Sequence, residues 1–504
     1  MTSYIILLLV ITFISRYWPR LIVKRPLGSD LYYHLLLAEN IRNNDFKSLK
    51  RNPQFILPGE CRYPIFYHHL LALFSKPARE GFAKVSSALF DSLLVATFYA
   101  VSWNFLVPLG WSGKEIFLLA AAFSVSPSLT GIGEGPRAYE GTPRTVGEFL
   151  ACLVFLALWG YVSTGNLLFY GTAVLIGSAA LNTSKFTAQV FLFFSVIIAV
   201  IVNSTGLLLF MPLTIIGAIV VSNGNYWGVL CGQIAHLVLY AKRLMHQHPI
   251  FEKRTGSKLP KTVRELGRYV LTENTFLIFL MKHGLIFLAL LLSFLNYDQM
   301  THSAGSLYLF AWLVSGVITA IITSRKQFLF LGEADRYLEY VLLAGYLIFA
   351  ITAGPKYIGL ILCLNIVLYV SYITIFFAMY CSKSATNGYA DFVSLVDEMN
   401  KREQTVVLNT LCGDPWSLAY LTAHDICFSE DYFANSVEQY DNYFWSFPYP
   451  RKDLDYFVSN YNVKMVPVSK KIITDATRKG CVYEFCGFEK AYENDTYELY
   501  VACS

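Results

Sequence analysis

The chain has 504 residues, of which 55% are hydrophobic and only 15% charged, with a mean hydropathy of +0.45 and a net charge of +5. Soluble globular domains carry about a quarter charged residues, so the composition excludes a soluble enzyme and indicates a multi-pass membrane protein. The basic residues are scattered and no nucleic-acid-binding motif is present, so no nucleic-acid partner is expected.

The first apolar run, "SYIILLLVITFI", has no basic segment before it and no small-residue cleavage site after it. It reads as an uncleaved anchor. A span needs about 20 mostly apolar residues, and on that rule roughly eleven spans are expected. They lie near 2–18, 85–109, 114–130, 149–163, 167–181, 187–202, 205–221, 276–296, 305–323, 337–352 and 357–380. Beyond residue 380 the segment "CSKSATNGYADFVSLVDEMNKREQ" is polar, and no further span follows. The expected fold is therefore a polytopic α-helical membrane domain over 1–380 and a small soluble α/β domain over 381–504. In the tail, "TVVLNT" reads as a strand, and "GDPWSLAYLTAH" as a turn and helix with Pro415 at its first position. "KDLDYFVSNYNVKMVPVSKK" reads as helix then strand, and the last 24 residues or so as strands. Nothing in the tail looks catalytic by itself.

Eleven spans put every long connection on one face: 19–80, 131–148, 182–186, 222–275, 324–336 and the tail. The other face holds tight turns such as "GWSGK", "STGN", "NSTG" and "AGPK". Before the tail, the long-loop face carries 24 Lys and Arg against Lys114 and Lys356 opposite. A bias of that sign marks a cytoplasmic face, although the rule weakens for loops of about 60 residues. Six of the ten cysteines (Cys381, Cys412, Cys427, Cys481, Cys486 and Cys503) lie in the tail. An even number in one small domain fits an oxidising compartment, with free buried thiols as the alternative. The sequon Asn494-Asp495-Thr496 is compatible with that compartment. On balance the long loops and tail are expected to be external or lumenal.

The loops carry the candidate chemistry. In "GSDLYYHLLLAENI", Leu31, Leu35, Ala38 and Ile41 fall on one stripe, which predicts an amphipathic helix lying in the membrane interface. Asp30 stands at its start, where a carboxylate caps free amides and meets the positive helix end. His34 lies one turn further on. "YPIFYHHLLALF" then sets Pro64, Tyr67, His68 and His69 before another amphipathic stretch, where a His pair among aromatics usually means packing. "GIGEGPRAYEGTPRTVGE" offers Glu134, Arg137, Glu140 and Arg144, either as internal ion pairs or as arginine forks for phosphate oxygens with Glu134 left as a base or ligand. Lys185 emerges at the same face, where a lysine commonly snorkels. "SRKQFLFLGEADRYLEYV" crowds Glu333, Asp335, Arg336 and Glu339 at the mouth of a span, a costly placement that often marks function. The usual hydrolase, ATPase and metalloprotease motifs are absent.

These pieces resemble the GT-C superfamily of integral membrane glycosyltransferases. The resemblance rests on the Asp-led "GSDLYYHLLLAENI" after a first span, on "YPIFYHHLLALF", on "GEADRYLEY", and on the closing "YNVKMVPVSKK" and "FEKAYENDTYELYVA". It covers the whole chain in organisation, through short motifs. It implies sugar transfer from a polyprenyl-phosphate-linked donor to a glycan, lipid or protein acceptor at the external or lumenal face. Asp30, Glu333 and Glu134 are then the catalytic candidates. His34, His68, Arg137, Arg144, Lys185 and Arg336 are the substrate-binding candidates, with the arginines on the donor phosphate. A divalent metal (Mg or Mn) would fall to Asp30, Glu134 and Asp335, although the second long loop lacks an Asp-x-Asp.

Two other readings remain at this stage. A polymerase or transporter of lipid-linked saccharides would also use many spans, but a transporter is expected to carry charged or broken spans, whereas here the spans read as clean. A non-catalytic scaffold would tolerate replacement of Asp30 and Glu333.

Overall fold

The computed structural model describes residues 2–23, 30–57, 62–130, 141–245, 275–332, 334–429, 434 and 436–503. Each of the expected apolar stretches falls on helix. The first five helices are α1 (Thr2–Ile22), α2 (Asp30–Asn43), α3 (Phe66–Ala72), α4 (Lys76–Leu106) and α5 (Gly113–Ser124). The segment 149–221 divides into four: α6 (Pro143–Thr164), α7 (Leu167–Leu181), α8 (Lys185–Val202) and α9 (Thr205–Val221). After α10 (Asn225–Leu239) come α11 (Thr275–Leu295), α12 (Ala304–Thr323), the short α13 (Asp335–Glu339), α14 (Leu342–Ala353) and α15 (Ile358–Tyr380). Among the described residues, six helices are long and apolar enough to cross a membrane. Leu167–Leu181, Thr205–Val221, Phe279–Leu295 and Leu342–Ala353 are apolar but shorter.

The tight turns of the quiet face show why the chain reverses there. Ser112 and Glu115 form a reciprocal capping box that starts α5. Gly165, at φ +71°, ends α6, and the Asn166 side chain then accepts the Leu168 amide at 2.9 Å to start α7. Between α7 and α9, small residues let the backbones approach. A side chain on Gly177 or Gly217 would collide with Thr214 and Ser178 respectively. Asn182 Nδ2 donates across this contact to the Ala218 carbonyl at 3.1 Å.

The spans are not free of charge, which corrects the sequence reading. Arg16 of α1 is 1% exposed and its Nε donates to Asp91 of α4 at 3.1 Å. Lys282 is buried in α11, whose helical geometry breaks at His283. The Ser128 hydroxyl donates to the Lys282 carbonyl at 2.8 Å beside this break.

The tail follows α16 (Lys383–Asn400) and is an α/β unit. Its strands are β2 (Val406–Val407), β3 (Asp425–Phe428), β6 (Val463–Ser469), β7 (Phe488–Glu493) and β8 (Tyr497–Ala502), with β4 (Phe444–Ser446) and β5 (Tyr449–Pro450) forming a separate hairpin. The main sheet runs β1-β3-β2-β6-β8-β7, and β1 is Phe55–Leu57 from the first loop. It pairs in parallel with β3, Phe55 opposite Ile426 and Leu57 opposite Phe428. The loop holding Asp30 is thus stitched to the tail by backbone hydrogen bonds.

That stitching changes the character of α2. Ten of its 14 residues are buried, so it is not an amphipathic helix resting in the interface. The tail helix α17 (Pro415–Leu421) covers it, with Tyr33 against Trp416 at 4.9 Å and Tyr32 against Tyr420 at 5.5 Å between ring centroids. The leucine stripe was real, but Tyr32, Tyr33 and Leu36 are buried too, with Tyr32 and Tyr33 packed against the tail and Tyr33 also against Tyr63.

The cysteine argument for an oxidising compartment also changes. All nine described cysteines are free thiols, and Cys412 and Cys427 are buried in the tail. Burial pushes both thiols up, away from the reactive thiolate form. The sequon has a structural task as well: Asn494 Oδ1 accepts the Thr496 and Tyr497 amides, and its Nδ2 donates to the Asp391 carbonyl at 2.9 Å.

Candidate active site

Asp30 begins α2 and its surface is open, although protein surrounds it on most sides. That crowding raises its carboxyl above the usual carboxylate value, and the nearby Arg336 charge works against the rise. Arg336 lies on α13, with its guanidinium 6.0 Å from the Phe186 ring centre. Phe186 follows Lys185 at the start of α8. The Lys185 ammonium in turn sits 4.6 Å over the Tyr63 ring, a cation–π distance. Asp30, Arg336 and Lys185 therefore come from three separate loops to one neighbourhood.

Two imidazoles pack beside Tyr63. His34 Nδ1 and His68 Nε2 are 2.9 Å apart, and His68 Nδ1 is 3.0 Å from the Pro64 carbonyl. Tyr63 packs on both rings, at 5.9 Å from His34 and 5.5 Å from His68. Burial drives both histidines to the neutral form, His34 well below its ordinary value and His68 down to about 3. α2 supplies His34, and α3 supplies His68. The backbone amide of Phe66, at the head of α3, donates to the Asn182 carbonyl at 2.8 Å and fixes this helix to the end of α7.

A second carboxylate approaches from the tail, which had offered no catalytic candidate on sequence grounds. Asp414 caps α17, accepting the Ser417 amide at 3.1 Å and its hydroxyl at 2.7 Å. Its carboxyl is raised chiefly by burial, with the Asp30 charge adding to the rise. "GDP" before a helix signals a cap; its closeness to Asp30 depends on the β1–β3 pairing and had no sequence signal.

The remaining candidates divide. Glu134, Arg137 and Glu333 lie outside the described residues. Arg144 Nη2 donates to Glu339 at 2.7 Å, and its Nε lies 3.5 Å from Glu148. Lys282 Nζ donates to Asp335 at 2.8 Å and to Glu339 at 3.2 Å. All of these carboxylates are buried. Arg144 thus faces carboxylates, and Asp335 already holds an ammonium. Among the described residues no group of three His, Cys, Asp or Glu side chains is arranged to hold a metal ion. The described residues do not fit a divalent metal, and no chemical step is derived through one.

The fold is shared with solved membrane-protein structures. Over 99% of this chain and 98% of the other, it superposes with a TM-score of 0.58 on ArnT from Cupriavidus metallidurans bound to undecaprenyl phosphate, at 10% identity. The oligosaccharyltransferase from Archaeoglobus fulgidus tethered to an acceptor peptide matches with a TM-score of 0.57 at 12% identity, covering 99% of this chain and 74% of that one. AglB from the same organism, in complex with an inhibitory peptide and a dolichol-phosphate, matches with a TM-score of 0.53 at 12% identity, covering 93% and 69%. No family model and no curated protein matches the sequence.

Proposed function

We propose that this integral membrane protein transfers a hexose or pentose from a polyprenyl-phosphate-linked donor to an acceptor hydroxyl or amide. The acceptor is a glycan, a lipid or a protein, and the transfer takes place at the external or lumenal face. The observation that carries this reading is the convergence of one carboxylate, Asp30, with the Arg336 and Lys185 cations in a chain whose fold matches proteins bound to undecaprenyl phosphate and dolichol-phosphate.

The chemistry follows from that set. The acceptor atom attacks the anomeric carbon as the bond from that carbon to the phosphate oxygen breaks. The proton leaving the acceptor passes to the Asp30 carboxylate. The charge released on the departing lipid phosphate is met by the Arg336 and Lys185 cations. A raised carboxyl pKa suits this task, because it makes Asp30 a stronger base than an ordinary surface aspartate. No step in this reading depends on a divalent ion.

The test compares lipid-linked sugars by mass spectrometry in native membranes carrying the wild-type chain or Asp30→Asn at equal expression. Accumulation of one polyprenyl-phosphate sugar in the variant is expected and would identify the donor. Identical lipid-linked pools would remove Asp30 from the chemistry.

A further inference from the structure

The two histidines hold each other in a single protonation pattern. The Pro64 carbonyl can only accept, so the proton on His68 is at Nδ1, which donates to it at 3.0 Å. Burial keeps His68 neutral, which leaves its Nε2 as a bare lone pair. The atom facing that lone pair at 2.9 Å is His34 Nδ1, which must therefore carry the proton of a neutral His34. The remaining atom, His34 Nε2, is then a lone pair with no proton. It receives no hydrogen bond from a described residue, and it is not among the sealed, partnerless polar atoms of the interior.

We propose that His34 Nε2 is a fixed hydrogen-bond acceptor that reads a hydroxyl of the donor sugar, and that His68 is the positioning residue that locks its tautomer. Asp30 and His34 are four residues apart on α2 and so share a helix face. Tyr63 packs on His34 and carries the Lys185 ammonium on its ring, so His34 is one side chain away from a cation assigned to the donor phosphate. What is covalently attached to that phosphate is the sugar. An imidazole that stays neutral is a poor proton carrier but a dependable acceptor, which separates its role from that of Asp30. The inference rests on the transferase reading above.

The test uses the full-length chain in lipid nanodiscs and measures binding of undecaprenyl phosphate, alone and carrying a panel of hexoses and pentoses. His34→Asn keeps an amide N–H where Nδ1 stands, so the bond to His68 survives while the Nε2 acceptor is lost. It is expected to bind bare undecaprenyl phosphate within about twofold of wild type, and the preferred sugar-bearing lipid about tenfold or more weakly. His34→Gln, whose amide oxygen reaches the Nε2 position, should recover most of that loss. With the wild-type chain, removing one particular hydroxyl from the sugar should cost the same factor, a readout that does not require any variant to fold. Equal affinity of wild type and His34→Asn for every lipid-linked sugar, or indifference of wild type to every single deoxygenation, overturns the inference. Failure of wild type to bind undecaprenyl phosphate at all would instead remove the transferase reading, and this inference with it.

Discussion

Asp335 and Arg336 are neighbours in the chain, yet they belong to two clusters built on opposite terms. Asp335 turns to Lys282, and with Arg144, Glu148 and Glu339 it forms a buried set in which cations and carboxylates answer one another. Arg336 lies by Phe186 and Asp30, where the carboxylate is exposed and the nearby imidazoles are held neutral. The first cluster ties the starts of α6, α13 and the broken α11 together, in low dielectric where an unmatched charge is expensive. The second holds a crowded carboxylate and an imidazole lone pair to which no described residue donates. The first cluster is an ion-pair network inside the bundle; the second brings a carboxylate, cations and neutral imidazoles together where the carboxylate is exposed.

Asp30 is the most sensitive position. Asp30→Asn is expected to lower turnover about 100- to 10,000-fold, read from the rate of sugar transfer by purified protein. Because the folded-state pKa of Asp30 is raised, its ionised form costs stability above that pKa, and the cost is relieved as pH falls through it. Removing the charge should therefore leave the Tm unchanged or raise it. A fall in Tm would show that Asp30 serves the helix rather than the reaction.

The matched cluster should answer in the other currency. Lys282→Met leaves Asp335 and Glu339 buried without their ammonium, a loss of about 3–5 kcal/mol, measured by thermal unfolding in detergent. Replacing Lys282 and Asp335 together by apolar residues should recover much of it. If Lys282→Met instead leaves the Tm intact and abolishes transfer per folded molecule, the division between the clusters is wrong.

A smaller effect concerns pH. The acid limb of the turnover profile should lie above the ordinary carboxylate value, because Asp30 must be ionised to accept a proton and its pKa is raised. Arg336→Gln removes the charge that holds that pKa down, so the limb should move further up in pH. A limb that does not move would detach Arg336 from Asp30. Smallest of all, Thr496→Ala removes the hydroxyl bond to Asp391 and should cost about 1 kcal/mol in a thermal melt, without the mass change that loss of a glycan would bring.

Much of this architecture is legible in the sequence because apolar runs and turn residues are local signals. The helices over 149–221, the Pro415 helix and the strand after "SNYN" all fall where their residues predict. The site was legible only in part. Asp30, Lys185 and Arg336 could be nominated one by one from their places at span ends, but their meeting depends on how three loops pack. The β1–β3 pairing links residues near 55 and 426 through a strand of only three residues, too short for any periodicity to announce. Lys282 hid inside an apolar run whose average hydropathy absorbs one charge. The Pro64–His68–His34 relay needs both ring orientations, which no spacing encodes. The amphipathic stripe of α2 misled because a helix covered on two sides by different partners shows one clear stripe and buries another.

If the Asp30 site and not the Lys282 cluster carries out the transfer, losing one carboxylate charge has opposite consequences in the two places. The most direct measurement is single-turnover sugar transfer per folded molecule by Asp30→Asn and Asp335→Asn side by side, with folded protein quantified in each. Asp30→Asn is expected to lose transfer at full folded yield, while Asp335→Asn loses folded yield and the surviving molecules turn over at close to the wild-type rate. Loss of turnover in Asp335→Asn with Asp30→Asn unaffected would contradict it.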